Sequence, residues 1–145
     1  MAARRSAQAV WEGDIAHGQG TVKGTSGALG SVPVSWASRT EASGGKSSPE
    51  ELLAAAEASC YSMALSAGLS RQQKPPRKLE VTATATFDKV GESWKVTTME
   101  LDVVGTVPGA SAAEFEAAAK AAAEGCPISG ALKGNVAVSV RARLA

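Results

Sequence analysis

Histidine, cysteine and aromatic residues are scarce in this chain. Its 145 residues include one histidine, His17, and two cysteines, Cys60 and Cys126. A single histidine cannot supply a histidine-based metal site, and two cysteines this far apart form neither a CxxC pair nor a zinc-ligand cluster. Aromatics are 4% of the chain. Alanine and glycine are abundant, so close-packed small residues must do much of the core work. No sign of charge dominates: Lys+Arg 15 against Asp+Glu 14 gives a net charge of +1, which leaves no footprint for nucleic acid or another polyanion. No run approaches a membrane span, and the N-terminal MAARRSAQAVW lacks the apolar stretch of a secretory signal. The expectation is a cytoplasmic protein with no membrane or nucleic-acid partner. In that compartment thiols stay reduced unless they are being turned over.

What is present reads as one globular domain, residues 1–145. The length suits a single core, and 44% hydrophobic with 20% charged residues is ordinary for a soluble fold. The first third is punctuated by Gly13, Gly18, Gly20, Gly24, Gly27 and Gly30 between short alternating runs, which suits a strand meander with tight turns. Val32 to Trp36 is expected as its third strand, with Pro33 near the start. No GxGxxG phosphate cradle is present: Gly18-Gln19-Gly20 precedes Thr21-Val22-Lys23, which reads as strand. Glu41 to Lys46 is a loop.

Ser48 to Leu69 is the longest stretch of one character. Ser48 reads as an N-cap, Pro49 as the first helical residue, and Glu51 completes a capping box. Leu53, Ala56, Cys60, Met63, Ala64 and Ala67 fall at helical spacing as an apolar stripe. After a polar, proline-broken connection, Leu79, Val81, Ala83, Ala85 and Phe87 alternate as a strand. A turn at Asp88 to Ser93 leads to a returning strand from Trp94 to Val104, whose alternation slips at Thr97 to Met99, the mark of a bulge. Ser111 and Glu114 form a second capping box for a helix with Phe115, Ala118, Ala119 and Ala122 on one face. Cys126-Pro127 opens a helical turn to about Leu132, and Asn135 to Arg143 is a last strand. The order predicts an α+β fold, largely antiparallel, with two alanine-rich helices able to approach closely.

A lone cysteine on an apolar helix face is ordinarily a small buried hydrophobe. Three features weigh against that reading. Cys126 stands at a helix start, where free N–H groups favour a thiolate. Packing the two helical segments together would bring the cysteines within disulfide range. Arg39 and Glu50 lie close to the cap of the cysteine helix.

SPEELLAAAEASCYSMALS resembles the signature of the OsmC and organic hydroperoxide resistance family of thiol peroxidases. Trp11-Glu12-Gly13, the Gly18 and Gly20 pair, Ser26-Gly27-Ala28-Leu29, Ser38-Arg39-Thr40 and Cys126-Pro127-Ile128-Ser129 extend the resemblance over nearly the whole chain. The position of the arginine just before the helix fits the OsmC branch. The resemblance implies two antiparallel-rich sheets wrapped around two alanine-rich helices in an intertwined homodimer. It implies a cofactor-free peroxidase for organic hydroperoxides, acting in oxidative or osmotic stress defence. Cys60 would be the peroxidatic thiol, Cys126 the resolving thiol, Arg39 the activator of the thiolate and Glu50 the residue that orients Arg39. A dithiol or lipoyl-type reductant would restore the thiols. The family commonly has histidine three residues before the reactive cysteine; here that residue is Glu57, expected to face solvent or pair with a base, or else to raise the thiol pKa.

One inference is geometric. Ten residues of straight helix rise about 15 Å, so Glu50 cannot reach the Cys60 of its own helix. An arginine–glutamate pair serving Cys60 would then come from a second subunit, unless the helix starts late or kinks, or Arg39 bridges within one chain. Two other readings stay open: a redox sensor or small-molecule-binding protein on the same fold, and a structural protein with inert cysteines.

Overall fold

The structure, a computed structural model describing residues 1–145, divides into two compact units, Met1–Leu52 and Leu53–Ala145. The first unit is a three-stranded antiparallel meander, β1 (Ala7–Glu12), β2 (Gln19–Gly24) and β3 (Ser31–Val34), in the order β1-β2-β3. Trp11 stands opposite Gly20. A Cβ on Gly20 would lie 2.9 Å from the Trp11 ring, so the indole occupies the space a side chain there would need.

The third strand stops at Val34, before the expected Trp36. Ser35 caps a short helix, α1 (Trp36–Thr40), through a reciprocal box: its Oγ accepts from Ser38 N–H at 3.1 Å, and Ser38 Oγ accepts from Ser35 N–H at 3.0 Å. Two serines three apart offer the backbone a helical start that outweighs strand continuation.

Helix α2 runs unbroken from Pro49 to Arg71. Ser48 Oγ accepts from Glu51 N–H at 3.1 Å, and the Glu51 carboxylate accepts from the Ser47 hydroxyl at 3.1 Å. The expected box is therefore half formed, with Ser47 taking the carboxylate. By length and a mean hydropathy of 1.3 this helix could cross a membrane, contrary to the sequence expectation. Its Tyr61, Leu65 and Leu69 are instead built into the core of the second unit.

That unit carries a sheet in the order β4 (Lys78–Val90), β5 (Ser93–Thr106), β6 (Ala137–Leu144). β4 and β5 form an antiparallel hairpin. Thr86 pairs with Thr98 and Phe87 with Val96, so Thr97 is the extra residue of a bulge, where the alternation slips in the sequence. β6 pairs with β5 in parallel, the crossover being made by α3 (Ala112–Gly125) and α4 (Pro127–Leu132). The Ser111–Glu114 box forms in full, and Phe115, Ala118, Ala119 and Ala122 are buried as predicted. A Cβ on Gly105 would run into the Phe115 ring, so glycine on β5 lets the aromatic lie flat on the sheet. Met99, Leu101 and Val103 supply the buried face of β5.

The stripe predicted on α2 is not the buried one. Tyr61, Leu65 and Leu69 face the core, while Met63 is 67% exposed and Cys60 half-buried. Tyr61 Oη donates to the Ala119 carbonyl at 2.6 Å, fixing α2 against α3.

Candidate active site

Two constellations carry the chemistry, one in each unit. In the first unit, α1 presents Arg39 and the first turn of α2 presents Glu50. Arg39 Nε donates to Glu50 Oε1 at 2.9 Å and Oε2 at 3.1 Å, and Nη2 donates to Oε1 at 2.8 Å. The planar fork matches the carboxylate. The guanidinium carbon also lies 5.8 Å from the centroid of the Trp36 ring, within cation–π range. Glu50 is buried, whereas the Arg39 side chain keeps 30% of its surface open. The pair anticipated from the sequence thus forms within one chain.

In the second unit Cys60, at mid-α2, meets Cys126, which caps α4. Both are free thiols; Cys60 is half-buried and Cys126 is 1% exposed. Burial is the main influence pushing the Cys60 thiol above its ordinary value. The Ile128 backbone N–H pulls the other way, and Cys126 and Glu57 raise it further. No cation is among these influences. Cys60 lines an open groove of about 540 Å³ with Met63, Ala64 and Ala67 from α2 and Ala118, Ala122 and Pro127 from the α3–α4 segment. Four members of the apolar stripe, Cys60, Met63, Ala64 and Ala67, therefore line this groove.

Glu57 faces neither solvent nor a base. It is fully buried, one of the larger buried side chains in the protein. Its Oε1 accepts a short hydrogen bond from Ser129 Oγ and a longer one, 3.9 Å, from Cys126 Sγ. Its Oε2 is buried with no hydrogen-bond partner. Ser129 went unnoticed as a functional candidate in the sequence; its one signal was its place in the Cys126-Pro127-Ile128-Ser129 motif. His17 is surface-bound and pairs with Asp14 through Nδ1 at 3.1 Å.

A family model described as OsmC-like protein matches residues 42–141. The chain is 39% identical over 136 residues to Peroxiredoxin OsmC of Escherichia coli (strain K12), covering 94% of each sequence, and equally similar to the Shigella flexneri protein of that name. Among solved structures it is similar to an organic hydroperoxide resistance protein OsmC from Legionella pneumophila, with a TM-score of 0.77 and 25% identity over 98% of this chain and 99% of that one. The OhrB protein of Bacillus subtilis shares the fold, with a TM-score of 0.74 and 23% identity over 95% and 98%.

Proposed function

The chain belongs to the OsmC family, and from that membership we propose a cysteine-based, thiol-dependent peroxidase that reduces organic hydroperoxides in stress defence. Residues 1–145 act as one OsmC-like domain in the cytoplasm, without a cofactor. The Cys60 thiolate attacks the terminal peroxide oxygen. The O–O bond breaks, the alcohol leaves, and Cys60 becomes a sulfenic acid. Cys126 then attacks the Cys60 sulfur, closing a disulfide and releasing water. An external thiol of dithiol or lipoyl type reduces that disulfide through thiol exchange. The observation that carries the reading is the meeting of two free thiols, one on an open apolar groove and one sealed behind it.

The first step needs a thiolate, yet burial, Cys126 and Glu57 push the Cys60 thiol up. A fixed guanidinium would favour the thiolate and take up charge developing on the peroxide oxygens. Arg39, gripped by Glu50, is built for that. Because α2 is continuous from Pro49 to Arg71, Glu50 lies about 15 Å along the axis from the Cys60 of its own helix. The reading therefore includes a homodimer in which Arg39 and Glu50 of one chain serve Cys60 of the other.

Consumption of cumene hydroperoxide and of hydrogen peroxide with a dithiol reductant tests the reaction. Cys60→Ser should abolish turnover; equal rates in variant and wild type would sink the peroxidase. Cys126→Ser should keep the first attack and leave Cys60 sulfenic or over-oxidised. Mixing Arg39→Ala with Cys60→Ser chains should restore activity, since one site of the mixed dimer then has both groups. No restoration would place the arginine and cysteine within one chain.

A further inference from the structure

Closing the disulfide requires a proton to leave Cys126, and Cys126 is sealed from solvent at 1% exposure. Bulk water therefore cannot collect that proton directly. The acceptor at the sulfur is Glu57 Oε1, which Cys126 Sγ meets at 3.9 Å. Ser129, on the first turn of α4, donates to the same oxygen. Its hydroxyl fixes the carboxylate against the segment that carries Cys126. The second oxygen, Oε2, is buried without a partner. A buried carboxylate held only by a hydroxyl and a thiol has no cation to stabilise its charge, an arrangement costly for stability alone. It suits a group whose task is to exchange a proton.

We propose that Glu57 is the proton acceptor for Cys126 in the step that closes the Cys60–Cys126 disulfide, positioned by Ser129; the proposal rests on the peroxidase reading given above. As the Cys126 sulfur attacks the sulfenic sulfur of Cys60, its proton passes to Glu57 and the S–O bond breaks. The leaving hydroxide takes the proton back from Glu57 as water. Sulfur oxidation states balance: the sulfenic sulfur is reduced and the thiol sulfur oxidised. No further oxidant is needed.

The test separates the proton transfer from peroxide chemistry. A nitrobenzoate disulfide reagent meets the half-buried Cys60 first and releases one chromophore. Attack by Cys126 on the resulting mixed disulfide then releases a second, with the same proton to place. In Glu57→Gln the second release should slow by about a hundredfold, the low end of what a positioned proton acceptor contributes. The first release should quicken, because Glu57 is among the groups that push the Cys60 thiol up. Structural damage would not move the two releases in opposite directions. The other titratable groups around Glu57 are Cys60 and Tyr61 on its own helix and Cys126 at the start of α4. A second release at the wild-type rate in Glu57→Gln overturns the proposal. Should that variant fail to fold, Ser129→Ala decides: the second release slows severalfold if Ser129 positions the acceptor, and an unchanged rate overturns it. Because the reagent replaces the peroxide, failure of the peroxidase reading would appear separately, as wild-type chains that react with the reagent yet consume no hydroperoxide.

Discussion

Helix α2 takes two carboxylates out of water, Glu50 in its first turn and Glu57 two turns on. Glu50 sits under a guanidinium that gives it three N–H hydrogen bonds. Glu57 has only neutral donors, a hydroxyl and a thiol, and one of its oxygens is unpartnered. The first arrangement keeps a charge in place. The second gives the carboxylate no cation. One helix thus holds a buried carboxylate paired with a cation and a buried carboxylate without one, and they should respond differently to substitution.

Arg39→Ala should give the largest effect. Removing the cation leaves Glu50 buried and uncompensated, at a cost of about 3 kcal/mol, the lower end for a broken buried pair because Arg39 is partly open to solvent. Urea unfolding measures this, and a midpoint equal to wild type would erase the contrast. Ser129→Ala should cost about 1–2 kcal/mol, since Glu57 loses its closest donor while the helix is otherwise untouched. Glu57→Gln should cost less than about 1 kcal/mol, because the amide oxygen can still accept from Ser129. Glu50→Gln should cost more than that, and the reverse order would break the comparison.

The smallest effect should come from a third carboxylate, the exposed Glu114. Its pKa is lowered to about 2 from the usual 4.5, first by its hydrogen bond to Lys74 and then by the Ser111 cap. A depressed carboxylate contributes stability above its unfolded value and loses it as pH falls toward the folded one. Glu114→Gln should therefore lose less stability than wild type between pH 4.5 and about 2, by a margin that salt screening reduces. Denaturation midpoints across that range measure the margin, and parallel curves would remove Glu114 from the acid response.

The capping residues were legible because a cap is a local pattern. Ser111 and Glu114 form their box as spaced, and the slip at Thr97 marks the residue without a partner in the hairpin. The buried face of α2 was not legible, because the helix is apolar or small on nearly every side. With alanine, leucine and methionine spread around the axis, helical spacing cannot choose between Cys60-Met63-Ala67 and Tyr61-Leu65-Leu69. The glutamate was the misleading residue: a carboxylate reads as surface unless its donors are known, and Ser129 and Cys126 come from a segment far along the chain. Glu57 nonetheless precedes Tyr61 and Leu65 by whole turns, and that spacing was the available clue. The end of β3 was missed for a similar reason. Ser35 and Ser38 cap one another, and serine at N3 is a weaker signal than the glutamate of an ordinary box. Arg39 and Glu50 were found through the family signature; the spacing alone did not reveal their three-bond grip.

The parallel pairing of β6 with β5 also sets a timetable for synthesis. β4 and β5 can zip together as a local hairpin while the chain is still emerging. The far edge of β5 then waits for Ala137–Leu144, which emerges only after α3 and α4. Until it arrives, that edge is an open template for another nascent chain. The crossover that delivers β6 also carries Cys126, so that thiol is seated only with a late, long-range closure. A nascent chain whose β6 has not yet emerged would hold Cys60 on α2 before Cys126 is seated.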